Sequence, residues 1–555
     1  MGSISLIGSS ANGDVQDPVL DGDTLQEMAR ARVERMVKEL VVAARAVERA
    51  SFKEIEQVVD KGIKETGRLL LGLYLAEGEA HLARTLPKEQ VIQGRRYLCV
   101  GPTVRRLNTL FGVITYSRSY VRQTGTFKRR GYHPLDVELG LTSDRVSFRV
   151  LSQAARLATQ MGFAEARSTL SRFIPSAPST EVIQQTVLGL GRFCEDWFIN
   201  LAPPDNDGEV LVIMVDSKGV PTARDEELAR RRGKRKPENR AASRRHRGRA
   251  HRRRYPKRPR RKKGDKAKNA KMATMVVMYT LRREGDLLLG PINVRRYASF
   301  ASMEQAFVHA KREAAKRGFG PGSNKLIQFV SDGDNHIADY RDHYFPGVTV
   351  TIDVIHVIEK LWDAGDCLYE EGSAELQKWV KRQKKRLYKG EARKTLREIK
   401  ARLNDIPKTG PGNKSRRETL DDVHAYLEKR VEKFNYHLLV SQDLELGTGM
   451  VEGAIKHIIG KRCDHGGMRW LKERVEAVVK LRCIEANGDW DTFINWVHDG
   501  IRTQGMETGQ RIRLQQRTAA PLPVVAIPAF DGPVARKRRY AERKAAMASP
   551  RALAA

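Results

Sequence analysis

The sequence predicts an α/β protein whose central domain contains a mixed sheet, preceded by a mainly helical N-terminal region with a small β unit. The main observation is the order strand, strand, strand, helix, strand, helix from residue 209 onward. Apolar runs at residues 210–215, 326–330 and 348–352 are each followed closely by an aspartate. A helical segment rich in Lys and Arg comes next, and then a Gly-rich turn and a further helix.

The predicted segments follow from where the apolar spacing changes along the chain. A spacing of three to four residues predicts helices, and short apolar runs predict strands, such as residues 97–100 and 110–116. In order, the segments are a disordered start (1–23), an N-terminal helical region (24–94), a small β unit (95–140), a helical region resembling a helix-turn-helix (141–205), the first part of the sheet domain (206–370), a helical insertion (371–443), the second part of the sheet domain (444–505) and a disordered basic tail (506–555).

The helical region at 141–205 has one pattern that bears on DNA binding. Residues 164–173 form a helix, Pro175 and Pro178 mark a turn, and Ser179 suits the start of a second helix. Such hairpins are common in proteins. Two interpretations therefore stay open: residues 180–192 read a DNA groove, or the two helices only pack.

The chain is strongly basic, with 101 Lys and Arg against 67 Asp and Glu and a formal net charge of +34. A protein of this charge most often binds a polyanion, and nucleic acid is the commonest one. More than half of the excess lies in residues 224–271, where 24 basic and five acidic residues give +19. This basic arm has almost no large apolar residues, so we expect it to be disordered when free.

Two interpretations of the basic arm are open. It is either a flexible arm that docks on DNA phosphates and releases their counterions, or a solvated loop without specific contacts. Its position inside a folded domain favours phosphate contact. The candidate DNA-binding residues are Arg244, Arg245, Arg247, Arg249, Arg252, Arg253, Arg254, Lys257, Arg258, Arg260 and Arg261.

Apolar stretches and cysteines indicate the compartment. The longest apolar runs are far shorter than the roughly 18 residues of a membrane span. The first residues lack the basic and apolar regions of a secretory signal. The five cysteines lie far apart and include no C-x-x-C pair, which argues against a disulfide framework or a thiolate zinc site. We therefore expect a cytoplasmic protein without a membrane partner.

Two of the apolar runs end at carboxylates that are candidates for a metal site, Asp216 and Asp332. Because α/β sheets hold ligands at the carboxyl ends of their strands, the two would meet at one edge if their strands are parallel neighbours. Two such carboxylates repel each other unless a cation lies between them, and hard oxygen ligands favour Mg²⁺ or Mn²⁺. The alternative is that each aspartate caps a turn or helix.

A third carboxylate would complete such a site, and Glu452 is the best candidate because it opens a helix after a Gly-rich turn. Its alternative is a glutamate that only stabilises the first turn of that helix. Asp334, two residues after Asp332, competes for the second position and would otherwise cap the following helix.

Five short motifs in a fixed order resemble bacterial insertion-sequence transposases of the ISKra type, relatives of the mutator-like DDE transposases. Each motif is weak alone, and their order makes the set specific. They are Val-Asp216-Ser-Lys-Gly, Val-Ser-Asp332-Gly-Asp, Ile-Asp353-Val-Ile-His356, Gly-Thr-Gly-Met-Val-Glu452-Gly-Ala and Gly-Gly-Met468-Arg469-Trp470. The resemblance covers roughly residues 97–496 and includes Thr109-Leu-Phe-Gly-Val and His133-Pro-Leu-Asp136.

This resemblance implies an RNase H-like catalytic domain with a helical insertion between the second and third acids. Asp216, Asp332 and Glu452 would form the DDE triad and hold Mg²⁺ or Mn²⁺, two ions in all. The implied function is transposition of an insertion sequence, a DNA recombination reaction that combines endonuclease cleavage of DNA ends with strand transfer. The implied partners are the terminal inverted repeats, the target DNA and further copies of the chain, in the bacterial cytoplasm at the nucleoid.

The resemblance also implies accessory residues. Asp353 and His356 match an accessory motif of the superfamily: His356 would orient a phosphate or donate a proton, or else form a structural pair with Asp353. Arg469 and Trp470 belong to a family signature, in which Arg469 would contact phosphate and Trp470 would stack on DNA or pack in the core. Relatives often carry zinc-binding cysteines between the two upstream motifs, but residues 120–132 contain none.

Two rival functions are open at this point. The first is a catalytically inactive, RNase H-like DNA-binding protein, and the second is a structure-directed nuclease with the same triad. Metal-dependent cleavage of DNA with terminal inverted repeats excludes the first, and joining of the cut end to target DNA argues against the second.

Overall fold

The computed structural model describes residues 19–46, 50–125, 131–223, 270–285, 287–320, 322–464 and 468–508. These residues form two compact units. The N-terminal unit contains the described residues up to Phe193 and those from Asp491 onward, and the sheet unit contains those from Cys194 to Trp490. The described helices include none that is long and apolar enough to cross a membrane.

The N-terminal unit begins with two long helices, α1 (Gly22–Arg45) and α2 (Phe52–Thr85). Both have cap residues that accept hydrogen bonds from free N–H groups of the first turn: Asp21 from Thr24, and Ser51 from Glu54. Helix α1 already includes Gly22 and Asp23, which the sequence places in a disordered start. The structure describes residues only from 19 onward, so most of that start lies outside it.

An antiparallel sheet of four strands follows: β1 (Glu89–Ile92), β2 (Arg95–Thr109), β3 (Gly112–Gln123) and β4 (Gly131–Tyr132). Strands β2 and β3 form a hairpin that closes at the pair Thr109 and Gly112. Leu110 and Phe111, predicted as the start of a strand, are therefore the hairpin turn. Gly112 has φ +116, a backbone conformation that glycine adopts without a steric penalty.

Four helices complete this part: α3 (Pro134–Glu138), α4 (Phe148–Gln160), α5 (Phe163–Leu170) and α6 (Thr180–Gly191). Asp136, from the His-Pro-Leu-Asp motif, lies in α3 and is fully buried. Its carboxylate pairs with Arg105 at 2.9 Å and with Arg118, and it accepts the hydroxyl hydrogen of Tyr116 at 2.6 Å. This motif therefore fixes α3 on the sheet through a buried polar cluster.

Helix α6 begins after Ser179, as the sequence predicts, and five of its 12 residues are buried. Ile183, Val187 and Leu190 pack in the core, while the exposed residue of its first turn is the acidic Glu181. A groove-reading helix needs an exposed basic or polar face toward DNA phosphates and bases. The geometry of α6 favours the packing interpretation of the helix-turn-helix pattern.

The sheet unit contains a mixed five-stranded sheet in the order β7-β6-β5-β8-β9. Strands β5, β6 and β7 form an antiparallel meander, and β8 and β9 extend the sheet in parallel with β5. The mixed α/β class predicted from the sequence is therefore confirmed. The strands are β5 (Val210–Pro221), β6 (Ala270–Glu284), β7 (Leu287–Ser299), β8 (Leu326–Ser331) and β9 (Thr349–Ile352).

The sheet unit also contains the helices α7 (Cys194–Asn200), α8 (Met303–Lys316), α9 (Asn335–Tyr344), α10 (Val354–Leu368), α11 (Ala374–Tyr388), α12 (Ala392–Asp405), α13 (Asn413–Glu428), α14 (Tyr436–Ser441), α15 (Gly449–Ala454), α16 (Lys461–Cys463) and α17 (Lys472–Ala486). The last helix, α18 (Trp490–Thr508), belongs to the N-terminal unit from Asp491 onward. A π-helical segment, Ile455–Gly460, joins α15 to α16.

The unit boundaries differ from the predicted segments at two places. Helix α7, predicted to precede the sheet domain, belongs to the sheet unit, where Glu195 accepts a hydrogen bond from Tyr297 at 2.8 Å. Residues from Asp491 onward, predicted to belong to the sheet domain, belong to the N-terminal unit. There Arg502 donates to the carbonyl oxygen of Glu138 at 2.7 Å.

The helical insertion predicted between the second and third acids is present as α11 to α14. Glu398 of α12 links this helix to α11. Its carboxylate accepts hydrogen bonds from Trp379 at 2.7 Å and from Arg382 at 2.6 Å. The same carboxylate pairs with Arg386 at 2.5 Å. Trp379 is 1 % exposed, so this polar cluster lies against the insertion's core.

Candidate functional site

The pairing of β5 with β8 brings the first two predicted acids to one edge of the sheet. The two strands are parallel, and their last paired residues are Met214 and Val330. Asp216 and Asp332 each lie two residues beyond this pair. Strand β5 itself continues past Asp216 because β6 still pairs with it, up to Pro221. The predicted meeting of the two carboxylates therefore follows from parallel pairing.

Asp353 joins the same edge from the next strand. Strands β8 and β9 are parallel, and their last pair is Ser331 and Ile352. Asp353 follows at once, and its backbone N–H donates to the carbonyl oxygen of Ser331 at 2.8 Å. Its carboxylate accepts the N–H of Ile355 at 2.8 Å and so caps α10.

Glu452 reaches the site from α15, and Thr448 links it to Asp353. The Thr448 hydroxyl lies 2.7 Å from Oε1 of Glu452 and in hydrogen-bond contact with Oδ2 of Asp353. One hydroxyl hydrogen can serve only one of these carboxylates at a time. Thr448 is buried, whereas the Glu452 side chain is 51 % exposed and faces outward.

His356 forms a hydrogen-bonded pair with Asp353, which is one of the two roles that the sequence predicts for it. Its Nδ1 lies 2.8 Å from Oδ2 of Asp353 and 3.8 Å from Oε1 of Glu452. The hydrogen bond with Asp353 raises the pKa of His356 to about 9, so its ring is protonated at neutral pH. The side chain is 38 % exposed, which leaves it accessible to a ligand despite the pairing.

The pKa values report how strongly the acids interact. Burial, followed by the charges of Asp332 and Glu452, raises the pKa of Asp216 to about 6. Burial would also raise the pKa of Asp353, but hydrogen bonds from His356 and Thr448 outweigh it and lower that pKa. Asp353 is therefore held as an ion by its neighbours. At Asp216 the hydrogen bond from the backbone N–H of Ser217 does not outweigh burial and the neighbouring carboxylates, so its charge is destabilised.

The structure contains one group of side chains close enough to hold a metal ion among the described residues. One ligand atom each from Asp353, His356 and Glu452 lies within 4.8 Å of the others. Asp353 is only 1 % exposed, and both of its oxygens already accept hydrogen bonds from Ile355, Thr448 and His356. Its part in the site is therefore to orient His356 and Thr448, and Glu452 is the member that remains open to an ion.

No family model matches the sequence, and a search of curated proteins finds no match. The site is therefore interpreted from its own residues.

Asp334, the competitor for the second position, has a separate role. Its Oδ1 accepts the backbone N–H of His336 at 2.7 Å and caps α9. Asp332 in turn accepts the N–H of Asp334 at 2.8 Å, so the tight turn between them points the two carboxylates to different partners. This geometry favours Asp332 over Asp334 as the second acid.

The Met468-Arg469-Trp470 motif after Glu452 includes a residue of the core. Trp470 is buried, its backbone N–H donates to the carbonyl oxygen of Pro221, and its own carbonyl oxygen accepts the backbone N–H of Ala223. The guanidinium of Arg462 lies 4.7 Å from the centre of its ring. Burial of Trp470 favours packing over stacking on DNA. Arg469 beside it is exposed.

The basic arm lies largely outside the described residues, which stop at Ala223 and resume at Ala270. All of the candidate DNA-binding residues from Arg244 to Arg261 fall in that interval. Next to this interval, Pro221 of β5 pairs with Ala270 of β6. In sequence the arm therefore connects β5, which carries Asp216, to the neighbouring strand β6.

Cationic residues line a groove of about 1080 Å³ beside the carboxylates, and sequence reasoning missed them. Asp216 and Glu452 lie on its wall together with basic side chains, which are Lys218, Arg296, Lys456, His457 and Lys461. Lys218 pairs with Asp464 at 3.3 Å on the same wall. Lys456 and His457 follow Glu452 on one helical surface, a spacing that could have indicated them.

The insertion also contacts the site through residues that the sequence did not indicate. Tyr426 donates its hydroxyl hydrogen to the carbonyl oxygen of Asp332 at 2.8 Å. Arg430 donates to the carbonyl oxygen of Gly333 at 3.0 Å through Nε. Both residues lie on or just after α13, far from Asp332 in sequence, so no local pattern predicts the contact.

Proposed function

We propose that this protein is an insertion-sequence DNA transposase, which cleaves DNA ends and joins them to target DNA by metal-dependent phosphoryl transfer. The observation that carries this proposal is that parallel β5 and β8 place Asp216 and Asp332 at one sheet edge, where burial and the charges of Asp332 and Glu452 raise the pKa of Asp216 and a cationic groove lies alongside. The mixed sheet, with β5 at its centre, is compatible with the RNase H-like fold that the sequence resemblance implies.

The donor set at this edge fits a hard divalent cation such as Mg²⁺ or Mn²⁺. Three carboxylates provide oxygen ligands, and the destabilised charge of Asp216 is what a bound cation would relieve. Asp216, Asp332 and Glu452 would hold the metal, with two ions expected from the chemistry. Bound ions would activate the attacking hydroxyl and stabilise the leaving oxygen of an in-line displacement.

The remaining side chains would position DNA. The lysines and arginine of the groove neutralise phosphates, and the protonated ring of His356 can donate a hydrogen bond to a phosphate oxygen. Asp353 and Thr448 fix the orientation of His356 and Glu452. The basic arm, which is attached to the two central strands, would hold DNA over the same edge.

The deciding experiment incubates the full-length protein with DNA carrying the element ends and flanking sequence, with Mg²⁺, and maps the cut positions. Cleavage at the ends and joining of the new 3′-end to a second DNA are expected. Asp216→Asn should lower both by more than about 100-fold, because several kcal/mol of transition-state stabilisation are lost. Cleavage by Asp216→Asn at the wild-type rate would refute the proposed chemistry.

A matched pair of variants tests the second acid. Asp332→Asn should abolish cleavage, whereas Asp334→Asn should retain it because asparagine is also a good helix N-cap. Binding of Mn²⁺, followed by electron paramagnetic resonance without DNA, gives a readout independent of activity. Asp332→Asn should weaken that binding and Asp334→Asn should not. The opposite pattern would assign the second position to Asp334.

The same reactions separate the rival functions. A DNA-binding protein without catalysis would bind the element ends and leave them intact at every Mg²⁺ or Mn²⁺ concentration. A structure-directed nuclease would cut branched or flapped DNA in preference to the element ends and would join nothing. Either result would replace the transposase proposal.

A further inference from the structure

A second concave surface lies on the insertion side of the sheet unit, where α10 meets α11. It has a volume of about 440 Å³ and is lined by Trp362, Gln377, Val380, Lys381 and Lys384. A volume of this order suits a small organic group. Helix α10 begins at the carboxylate site with His356, and Trp362 lies six residues later. At 1.5 Å per residue, the backbone of Trp362 is about 9 Å further along the helix axis than that of His356.

The chain has six tryptophans, all within the described ranges, and Trp362 differs from the other five. Trp197, Trp379, Trp470 and Trp490 are buried, and Trp496 is half-buried, whereas Trp362 is 38 % exposed. On the same helix, Val357, Leu361 and Ala364 face the core. Trp362 is therefore on the outer face of α10, where its ring is available for stacking.

Within the described residues, the lysines of this surface have no acidic partner, whereas two neighbouring arginines form ion pairs. Helix α11 carries six Lys and Arg residues and one glutamate. Arg382 and Arg386 form ion pairs with Glu398. Among the described residues, neither Lys381 nor Lys384 takes part in an ion pair. The pocket therefore has uncompensated positive charge next to an exposed aromatic ring.

An exposed indole beside two ammonium groups suits a planar ring that is covalently attached to a phosphate. Bases of single-stranded nucleic acid stack on aromatic side chains, and Lys neutralises the adjoining phosphates. The bases of an intact duplex are stacked on one another and cannot offer a face to the indole. The combination therefore selects an unpaired nucleotide rather than a base pair.

We propose that Trp362, Lys381 and Lys384 form a binding site for an unpaired nucleotide of single-stranded DNA. Trp362 stacks on the base, and the two lysines contact its phosphates. The site lies on α10 and α11, in the same unit as the carboxylates. This inference rests on the proposed function only in taking DNA as the partner, because the binding itself requires neither a metal ion nor catalysis.

The test measures binding of a short, labelled oligothymidylate to the full-length protein in EDTA, by fluorescence anisotropy. Tryptophan quenching is recorded in the same titrations. Because the rest of the chain is also basic, anisotropy reports binding to any part of the protein. Tryptophan quenching reports binding at Trp362. Trp362→Ala should weaken binding by about 5- to 150-fold, the loss of one stacked base. Trp362→Phe should keep most of the affinity and lose the quenching, because phenylalanine still stacks.

The lysines are tested through salt dependence. Lys381→Gln combined with Lys384→Gln should weaken binding and reduce the slope of log K against log salt by about 1.4, which corresponds to two phosphates. The matched control is Lys400→Gln combined with Lys408→Gln, which removes two exposed lysines of the insertion outside the pocket. This control should leave the quenching unchanged and reduce affinity less.

Three outcomes would overturn the inference. They are unchanged affinity in Trp362→Ala, undiminished quenching in Trp362→Phe, and an equal effect of Trp362→Ala on a duplex of the same length. Circular dichroism of each variant excludes misfolding as the cause of a loss. Failure of Asp216→Asn to affect cleavage would refute the proposed function and leave these binding results intact, so the two failures are distinguishable.

Discussion

Tyr426 of the insertion donates its hydroxyl hydrogen to the backbone carbonyl oxygen of Asp332 at 2.8 Å. Arg430, one helical turn later, places its guanidinium 3.9 Å from the centre of the Tyr426 ring and donates to the carbonyl oxygen of Gly333. The insertion is therefore hydrogen-bonded to the turn that carries Asp332. The insertion lies between the second and third acids in sequence, and these hydrogen bonds connect it to the site.

Tyr426→Phe removes only the hydroxyl and should lower DNA cleavage by about two- to tenfold, which is the 0.5–1.5 kcal/mol of a typical hydrogen bond. Without the hydroxyl, the turn that carries Asp332 loses one hydrogen bond, while the aromatic ring still packs on Arg430. Cleavage rates at saturating Mg²⁺ measure the effect. Tyr388→Phe is the control, since Tyr388 is a partly exposed tyrosine of α11. An equal loss in both variants would contradict the role of Tyr426.

Gly333→Ala tests the same turn from the other side. Gly333 has φ +88, and an added Cβ would lie 2.6 Å from Nε of Arg430. The variant should therefore combine backbone strain of about 1 kcal/mol with displacement of Arg430. We expect cleavage to fall by more than tenfold.

The control for this prediction is Gly347→Ala. Gly347 has φ +77, but an added Cβ there would meet nothing within 4 Å. Both variants should lose a similar free energy of unfolding from backbone strain, as measured by urea denaturation, while only Gly333→Ala should lose cleavage. If Gly347→Ala lost as much cleavage, general destabilisation would explain both results.

Local sequence patterns were sufficient for the strands and the acids of the sheet unit. Apolar runs such as residues 326–330 have to be buried, and the aspartate after each run marks the sheet edge. Parallel pairing of β5 with β8, which is a matter of topology, then brings Asp216 and Asp332 together. The sequence made the meeting of the two acids conditional on that pairing, and the structure shows that β5 and β8 are parallel neighbours.

Contacts between distant segments could not be predicted in this way. Thr448 bridges Asp353 and Glu452 from a turn whose sequence indicates only flexibility and a helix start. Tyr426 contacts Asp332 across 94 residues of sequence. Leu110 and Phe111 resemble a strand by composition, but the pairing of Thr109 with Gly112 makes them a turn. In each case the tertiary fold, not local propensity, decides the outcome.

Thr448 should act as a positioning residue for His356 and Glu452. Thr448→Val preserves the shape of the side chain and removes the hydroxyl, which leaves the oxygens of Asp353 and Glu452 without their shared donor. We expect cleavage to fall by about 10- to 150-fold and Mn²⁺ affinity to fall with it, because one buried hydrogen bond to a charged group is worth about 1.5–3 kcal/mol.

Thr448→Ser is the matched control, since serine keeps the hydroxyl. It should restore most of the activity and the Mn²⁺ affinity lost in Thr448→Val. Equal defects in the two variants would mean that the methyl group, and therefore packing, matters instead of the hydrogen bonds.

Glu398 provides a pH-dependent contribution to the stability of the insertion. Burial alone would raise its pKa, but hydrogen bonds from Arg386, Trp379, Gln383 and Arg382 outweigh burial and lower the pKa from 4.5 to about 2. A carboxyl group with a lowered folded-state pKa stabilises the fold above its unfolded pKa. That stabilisation is lost as the pH falls from about 4.5 toward 2.

Glu398→Gln should therefore lower the free energy of unfolding by about 1–3 kcal/mol at pH 7, since the charge is lost from a partly exposed cluster. The difference from the wild type should shrink as the pH is lowered below 4.5, because the wild type then loses the same charge. Urea denaturation followed by circular dichroism across this range measures both curves. Glu391→Gln, which removes an exposed partner of Lys394, should show almost no difference at any pH. A difference for Glu398→Gln that stayed constant with pH would show that packing, rather than the charge, holds α11 against α12.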